Sequence, residues 1–151
     1  MKLRWAALAV VLALGGLVPH ALPAQVTSDP PGREDAQAEL GQNYPNPFNT
    51  DTRIPFVVGD APQCNEPSRL YRVSLRIYNI LSQLVATPLL QGGGGAVPGG
   101  QPLANVMLPC DRYTAFWDGR DEGSREVTSG VYIYRLEVDG KPYVKKMWVA
   151  R

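Results

Sequence analysis

The chain has 151 residues, with 15 lysines and arginines against 14 aspartates and glutamates and a formal net charge of +1. That balance offers no electrostatic footprint for nucleic acid or for anionic lipid. The length suits one domain with a modest core.

The first 24 residues have the pattern of a secretory signal peptide. Lys2 and Arg4 give a positive start, an apolar run follows, and small and helix-breaking residues precede Gln25. A membrane anchor is the alternative, but the apolar run is shorter than the roughly 20 residues that span a bilayer. We therefore expect cleavage after Ala24, export, and no stable membrane span in the mature protein.

Residues 25–39 are polar, contain proline and acidic residues, and show no periodic apolar pattern. This composition predicts a disordered leader ahead of a folded part over 40–151. Without Lys2, Arg4 and His20, the mature chain carries 13 basic and 14 acidic side chains and no histidine.

The segment Asn43–Asn49 contains two prolines, Pro45 and Pro47. Each proline removes a backbone donor and favours extended geometry for the residue before it. We expect Tyr44 and Phe48 to be buried at one end of the domain. A recognition motif for secretion or for a ligand is the alternative role of this segment.

Alternating apolar residues predict strands through the rest of the chain. Thr52–Val58 should place Ile54 and Phe56 on one face, and Pro55 should put this strand at a sheet edge because proline cannot donate to a ladder. The clearest strand is Tyr71–Tyr78, with one face formed by Val73, Leu75 and Ile77. Further strand patterns cover 83–90, 106–108, 113–117, 130–138 and 141–149.

Asp139-Gly140 between the last two patterns predicts a type I′ hairpin. In the strand before it, Tyr132 and Tyr134 are expected to cover the rim. The residues expected in the core are Val131, Ile133, Leu136 and Val138. About seven short strands, with turn signals at roughly ten-residue intervals, predict an all-β, immunoglobulin-like β-sandwich.

Several of these residues, in this order, also form a family pattern. They are Asn43, Tyr44, Pro45, Asn46, Pro47, Phe48 and Asn49, then Trp117, Asp118 and Gly119, then Gly130, Val131 and Tyr132. Together they resemble the type A C-terminal sorting domain of type IX secretion cargo proteins, which is similar to the immunoglobulin-like domain of flagellar hook-capping proteins. The resemblance covers about 40–151, and Ser82 stands where the family usually has glycine.

The resemblance implies a secretion and cell-surface targeting module, without enzyme activity, that is recognised by outer-membrane secretion machinery. Its expected route is through the periplasm to the cell surface or the medium. The residues that this machinery is expected to recognise are Lys141, Lys145, Lys146 and Met147.

Two other functions compete with this one. The short leader favours a stand-alone envelope or extracellular module that interacts with other envelope proteins, as the hook-capping domain does. A carbohydrate-binding module would instead use an aromatic face, for which the candidates are Tyr132, Tyr134, Tyr143 and Trp148.

Cys64 and Cys110 are the two cysteines, and each lies in or beside a predicted loop. Two loop cysteines in an exported protein predict a disulfide, which would stabilise the fold by roughly 3–4 kcal/mol. Two separate thiols are the alternative. Without histidine, two cysteines cannot complete a zinc tetrad.

No catalytic constellation is visible, and we expect no enzyme activity and no cofactor. The absence of histidine from the mature chain removes the commonest general base. Asp118 is expected to cap its turn, and Arg120 and Arg125 are expected to neutralise the acidic cluster. Calcium binding by that cluster, which consists of Asp118, Asp121 and Glu122, is the alternative. The glycines over 92–100 indicate a flexible linker, since no Gly-Lys-Ser/Thr and no helix follow.

Overall fold

A computed structural model describes residues 37–93 and 97–151. Over these residues the chain forms nine strands in two antiparallel sheets and no helix, which confirms the expected all-β sandwich. The signal peptide and most of the leader lie outside the described residues. None of the described segments is a helix long and apolar enough to cross a membrane.

The first sheet has the order β1-β2-β7-β5. Its strands are β1 (Ala38–Leu40), β2 (Thr52–Val58), β5 (Leu89–Gly93) and β7 (Asp111–Trp117). The second sheet has the order β4-β3-β8-β9, and β6 pairs with the start of β3. Its strands are β3 (Leu70–Tyr78), β4 (Leu84–Ala86), β6 (Val106–Pro109), β8 (Gly130–Val138) and β9 (Lys141–Val149).

The core lies between the sheets and follows the period of two along each strand. Ile54 and Phe56 of β2 are buried as predicted, and so are Val73, Leu75 and Ile77 of β3. Burying each such side chain contributes roughly 1.5–3 kcal/mol.

The predicted faces of β8 are partly wrong. Leu136 and Val138 are buried, but Tyr132 and Tyr134 share their face, while Val131 and Ile133 are half-buried on the outer face. Burial of the two tyrosines is possible because each hydroxyl donates to a backbone carbonyl. The alternation therefore runs unbroken through the strand.

The predicted edge position of β2 is also wrong, because β2 lies between β1 and β7. Pro55 pairs with Thr114 of β7, and its carbonyl accepts the Gly41 N–H at 2.8 Å on the other side. The N–H that proline lacks would point to the same side as that carbonyl. Because Pro55 has no N–H, the reciprocal hydrogen bond to the Gly41 carbonyl cannot form, and the β1–β2 ladder ends at Leu40.

Two predicted segment boundaries differ from those in the structure. Ala38 and Glu39, expected in the leader, belong to β1 and pair with Val58 and Val57. The pattern over 83–90 is two strands, β4 and β5, which belong to different sheets.

Two turns have the left-handed residues that the sequence indicated. Asp139 and Gly140 have φ of 49° and 84°, which confirms the hairpin with two left-handed residues. Ser82 adopts φ of 60°, a conformation that is costly for residues other than glycine. Asn79 stabilises that turn, because its Oδ1 accepts the N–H of Leu81 and of Gln83.

Cys64 and Cys110 form the predicted disulfide, at a sequence separation of 46. Cys64 lies in the connection from β2 to β3, and Cys110 lies between β6 and β7. Both connections cross from one sheet to the other, so the disulfide links two crossings.

Candidate functional site

Residues of the family pattern meet at one end of the sandwich, which we call the motif pole. It comprises Asn43–Asn49, the turn over 118–129, the end of β9 from residue 146, and the two residues that follow β9. The Phe48 N–H donates to the Trp148 carbonyl at 3.0 Å, and the Ala150 N–H donates to the Phe48 carbonyl at 2.8 Å. Phe48 thus forms a short parallel bridge with Val149.

Side chains of the same segment extend this pairing. Asn46 Oδ1 accepts the Trp148 N–H at 2.9 Å, and Asn49 Nδ2 donates to the Ala150 carbonyl at 3.2 Å. Gln42 Nε2 donates to the Lys146 carbonyl at 3.0 Å. The segment therefore covers the last part of an edge strand that would otherwise expose backbone groups.

A small buried polar network holds the start of the segment. Asn43 is buried, and its Nδ2 donates to the Pro45 carbonyl at 3.1 Å and to Thr52 Oγ1 at 3.0 Å. Thr52 Oγ1 donates to the same carbonyl at 3.0 Å. Each buried polar group is thereby paired, as burial requires.

The hydroxyl of Tyr134 ties the core to this segment. It donates to the Gly41 carbonyl at 2.9 Å and accepts the Asn43 N–H at 3.1 Å. Burial raises the pKa of Tyr134 to about 12, although the hydrogen bond from Asn43 favours the ionised form. Tyr134 therefore stays a neutral donor over the physiological range.

Three aromatic rings pack beneath the pole. The Trp117 ring meets Phe48 edge-on at 5.4 Å and Tyr132 edge-on at 5.8 Å between centroids. Trp117 Nε1 donates to the Arg120 carbonyl at 2.8 Å. The motif tryptophan is thus a core residue with a satisfied polar edge.

Gly119 is required by its surroundings. Its φ is 68°, and a Cβ there would lie 2.5 Å from Arg151 Nη2 and 2.7 Å from the Thr50 carbonyl oxygen. Arg151 Nη2 donates to the Gly119 carbonyl at 2.9 Å, and Arg151 Nη1 pairs with Glu126 at 3.1 Å. The absence of a side chain at 119 admits the arginine.

The pattern residues differ in accessibility. Phe48 is buried as predicted, but Tyr44 is 77% exposed, so its expected burial is wrong. The reason is local, because Tyr44 bridges Arg53 through its backbone and this directs its side chain outward. Asp118 and Gly130 are exposed, and the other exposed members are Pro45, Pro47 and Asn49.

The four residues that we expected the secretion machinery to recognise, Lys141, Lys145, Lys146 and Met147, do not form one surface. Met147 is fully buried, so a partner cannot contact its side chain in the folded domain. Lys146 is exposed on the outer face of β9, whereas Lys141 and Lys145 lie half-buried on the face that Met147 shares.

The expected contacts of the acidic turn are present only in part. Asp118 Oδ1 accepts the Arg120 N–H at 3.0 Å. Asp121 accepts the Arg125 N–H and Nε–H, each at 3.0 Å, and these hydrogen bonds lower the pKa of Asp121. Arg120 pairs with Glu126 instead of the acidic cluster.

One group of possible metal ligands occurs among residues 37–93 and 97–151, namely Asp60, Cys64 and Cys110. Both sulfurs are consumed in the disulfide, so neither is available as a thiolate ligand.

The four aromatic residues considered for carbohydrate binding do not form a common exposed surface. Tyr132 and Tyr134 are in the core, while Trp148 is 47% exposed on the opposite face of the sheet. Tyr143 packs against the core. These four rings therefore cannot align to bind a sugar.

Sequence reasoning missed some contacts at the pole and in the core. Nothing local marks Leu103, which lies outside the strands yet is fully buried and accepts the Leu75 N–H through its carbonyl. The contacts of the Gln42 and Asn46 side-chain amides were also missed, because their partners on β9 lie 104 and 102 residues away in the sequence.

No protein-family model matches the chain, and no curated protein matches it. Among solved structures, dimeric latent PorU from Porphyromonas gingivalis matches 75% of this chain with a TM-score of 0.50 and 20% identity. The match spans only 9% of the PorU chain. This likeness supports the sandwich fold.

A second solved structure is the alkylpurine DNA glycosylase AlkC of Pseudomonas fluorescens bound to DNA containing an abasic site analog. It matches 77% of this chain and 31% of its own, with 12% identity and a TM-score of 0.43. A likeness this low carries no argument about the present chain.

Proposed function

We propose that residues 38–151, which include β1, are a non-enzymatic secretion and cell-surface targeting module of the type IX sorting kind. The partner would be outer-membrane secretion machinery, reached from the periplasm. The motif pole is the observation that carries the proposal. Segments about a hundred residues apart, Asn43–Asn49 and the end of β9, are hydrogen-bonded into one unit there.

The surface available for recognition is the outer face of β9. Lys146 is exposed there, together with Val144 at 56% and Trp148 at 47% exposure. Since Met147 is buried, its role in the proposal is to anchor the strand, and the machinery would contact Lys146 and Trp148.

A reporter fusion tests this proposal. A fluorescent protein placed between the signal peptide and residue 37, so that β1 stays whole, would be expressed in a host with type IX machinery and in a secretion-deficient derivative. We expect the reporter at the surface or in the medium of the first host and in the periplasm of the second. Periplasmic retention in both hosts would contradict the targeting function.

Two lysine variants refine the test. Lys146→Gln and Lys145→Gln make the same chemical change on adjacent residues that face opposite sides of β9. We expect reduced surface delivery for Lys146→Gln and near-normal delivery for Lys145→Gln. Equal losses would exclude recognition through the outer face.

The disulfide favours one second candidate, a stand-alone envelope or extracellular module, because it stabilises the domain that sorting would discard. Intact-mass spectrometry of protein from the native host's periplasm, outer membrane and medium separates the two. Loss of the segment over 40–151, or a large added mass near residue 40, supports sorting. A single species retaining the domain, lighter by the two hydrogens lost in the disulfide, supports the stand-alone module.

A further inference from the structure

The turn between β3 and β4 presents two large aliphatic side chains to solvent. Ile80 and Leu81 are each 72% exposed, more than any other large aliphatic side chain in the described part of the chain. Exposed apolar area is unfavourable in water, and burying it would recover free energy. Where such residues belong to a larger apolar patch, they mark a site of interaction.

Polar groups alone close this turn. Asn79 Nδ2 donates to Gln83 Oε1 at 2.7 Å, and the Asn79 N–H donates to the Gln83 carbonyl at 3.1 Å. The Ser82 N–H donates to the Asn79 carbonyl at 3.0 Å, and Asn79 Oδ1 accepts two further N–H groups. The turn needs neither exposed side chain, so its shape does not explain why Ile80 and Leu81 are apolar.

A row of apolar side chains on the outer face of the second sheet continues this surface. Tyr78 of β3 is the ladder partner of Leu84 on one side and of Ile133 on the other. Directly opposite residues of a sheet lie on the same face. Leu84 is 45% exposed, and Tyr78 and Ile133 are half-buried. Since Tyr78 and Leu84 flank the turn, the row begins at its base.

Two residues of β9 extend the surface to the far edge of the sheet. Lys146 pairs with Ile133, and Trp148 pairs with Val131 one row nearer the motif pole. Both side chains are exposed on the same face as Tyr78. The apolar residues of this surface, which we call the apolar end, are Ile80, Leu81, Leu84, Tyr78, Ile133 and Trp148.

The charged residues of this face begin one row further from the turn. Arg76 and Arg135 are ladder partners, and each guanidinium lies 3.2 Å from the shared carboxylate of Glu137. Same-face residues two positions apart on a strand are separated by about 7 Å. The face therefore changes along its strands, from aliphatic side chains at the turn, through the row of Tyr78, to this charged row.

We propose that the apolar end binds the surface of a phospholipid bilayer, with Ile80 and Leu81 inserted among the acyl chains. Tyrosine and tryptophan have an apolar body and a polar edge, so Tyr78 and Trp148 suit the boundary between acyl chains and headgroups. The aliphatic stem of Lys146 would lie on this surface while its ammonium group reaches water. The charged row would remain at the level of the headgroups.

The shape of the apolar end favours a bilayer over a pocket in a partner protein. Ile80 and Leu81 lie on a turn beyond the end of β3, so they form a convex tip and not a depression. A fluid bilayer accepts such a tip at any point of its surface, whereas a protein would need a cavity of matching shape.

Apolar insertion, and not charge, is the expected source of binding. The two arginines of the charged row share one carboxylate. On the other side of the hairpin, the acidic turn over 118–129 contacts β4, where the Glu122 N–H donates to the Val85 carbonyl at 3.0 Å. Neither neighbour supplies a large excess of positive charge, so anionic lipid should not be required.

The proposal goes beyond the sorting function and does not require it. Vesicles of pure lipid contain no secretion machinery, whereas the reporter experiment measures delivery by that machinery. Either experiment can therefore fail while the other succeeds.

Flotation with phosphatidylcholine vesicles tests the proposal with the exported, disulfide-intact protein from which residues 1–24 have been removed. We expect the protein to float with these vesicles, and to a similar extent when phosphatidylglycerol is added to them. Trp148 gives a second signal, because its fluorescence should shift to shorter wavelength on binding, whereas Trp117 is already buried. Trp148→Phe should remove that shift.

Two double variants assign the site. Ile80→Asn/Leu81→Asn should weaken partitioning into vesicles about tenfold, because two inserted aliphatic side chains are lost. Leu70→Asn/Met107→Asn is the matched control, since these side chains are 52% and 48% exposed at the other end of the same sheet. We expect it to bind normally. Urea denaturation checks that both variants stay folded.

Three results would overturn the proposal. If the unaltered protein does not float with phosphatidylcholine vesicles, the turn does not insert into a bilayer, and a protein pocket becomes its expected site. Equal losses in the two double variants would show that exposed apolar area binds lipid wherever it lies. Binding only to vesicles with phosphatidylglycerol, abolished by salt, would show attraction by charge.

Discussion

At the scale of single residues, the hydroxyl of Tyr134 stabilises the domain by pairing backbone groups. Tyr134 is fully buried, and its hydroxyl serves two backbone groups, the Gly41 carbonyl and the Asn43 N–H. A residue with a normal N–H at position 55 could donate to that carbonyl from the neighbouring strand. Pro55 cannot, so the tyrosine supplies the donor.

Tyr134→Phe should lower the free energy of unfolding by about 1–3 kcal/mol, because it leaves the buried Asn43 N–H and the partly buried Gly41 carbonyl unpaired. Urea denaturation measures the change. Tyr132→Phe is the matched control, since its hydroxyl donates to the carbonyl of the exposed Thr128. A smaller loss in Tyr134→Phe than in Tyr132→Phe would contradict this account.

The stability should fall in alkaline solution. Burial raises the pKa of both Tyr113 and Tyr134 to about 12, above the value of about 10 in an unfolded chain. Their contribution is complete below pH 10 and is lost as the pH rises towards 12, because only the unfolded chain releases these protons there. Each tyrosine lowers the free energy of unfolding by about 1.4 kcal/mol per pH unit in that window.

Denaturant unfolding between pH 9 and 12, with tyrosinate absorbance as a second signal, checks this dependence. Tyr134→Phe should flatten it. An unchanged slope in that variant would show that Tyr134 already titrates normally in the folded state.

At the level of secondary-structure elements, the chain that leaves β1 packs closely against β2 at Gly41. A Cβ at Gly41 would lie 2.7 Å from Pro55 Cγ and 2.9 Å from the Pro55 carbonyl oxygen. This contact places the chain that leaves β1 directly against β2, where the Gly41 N–H reaches the Pro55 carbonyl.

Gly41→Ala should therefore destabilise the domain by roughly 1–3 kcal/mol through overpacking. Thermal or urea denaturation gives the value. Gly123→Ala serves as the control, since its nearest neighbour is the Asp121 carboxylate at 3.2 Å in an exposed turn. Similar small losses in both variants would show that β1 moves away without cost.

The edge of β9 is covered along only part of its length. Trp148 directs its N–H and carbonyl away from β8 towards Asn46 and Phe48. Val144, four residues earlier in an unshifted ladder, directs its own backbone groups the same way, beyond the segment that covers the strand end.

Amide hydrogen exchange should show this division. We expect slow exchange for Trp148 and Ala150 and fast exchange for Val144, with faster exchange of Trp148 in Asn46→Ala. Asn49→Ala is the control, because it removes a donor to the Ala150 carbonyl and leaves the Trp148 acceptor in place. Slow exchange at Val144 would mean that the edge is paired along its whole length.

For the whole molecule, the disulfide joins two connections that cross between the sheets. Cys64 follows β2 of the first sheet, and Cys110 precedes β7 of the same sheet while following β6 of the second. The bond therefore restrains the way in which the sheets stack, in addition to closing a loop.

Replacing both cysteines with serine should lower the free energy of unfolding by about 3–4 kcal/mol, because the unfolded chain regains the entropy of an open loop. Urea denaturation of the oxidised protein, the reduced protein and the double variant measures this loss. A loss below about 1 kcal/mol in both comparisons would show that the unfolded chain is not restrained as the loop-entropy account requires.

Much of the fold could be read from period-two patterns. The bounds of β2, β8 and β9 agree with the predicted strands, as do the inward residues of β3 and the hairpin at Asp139-Gly140. Alternation and turn chemistry are local properties, so the sequence carries them directly. The disulfide followed from composition and the expected export.

Which face of β8 is buried, the interior position of Pro55 and the exposure of Tyr44 required the tertiary structure. A tyrosine is buried only if a partner for its hydroxyl lies within reach, and Gly41 lies 93 residues away from Tyr134. The facing of Arg76 and Arg135 likewise depends on strand register. Most strands and turns thus follow from local patterns, whereas the polar groups that pair with one another are brought together by strand register and packing, because those partners are distant along the chain.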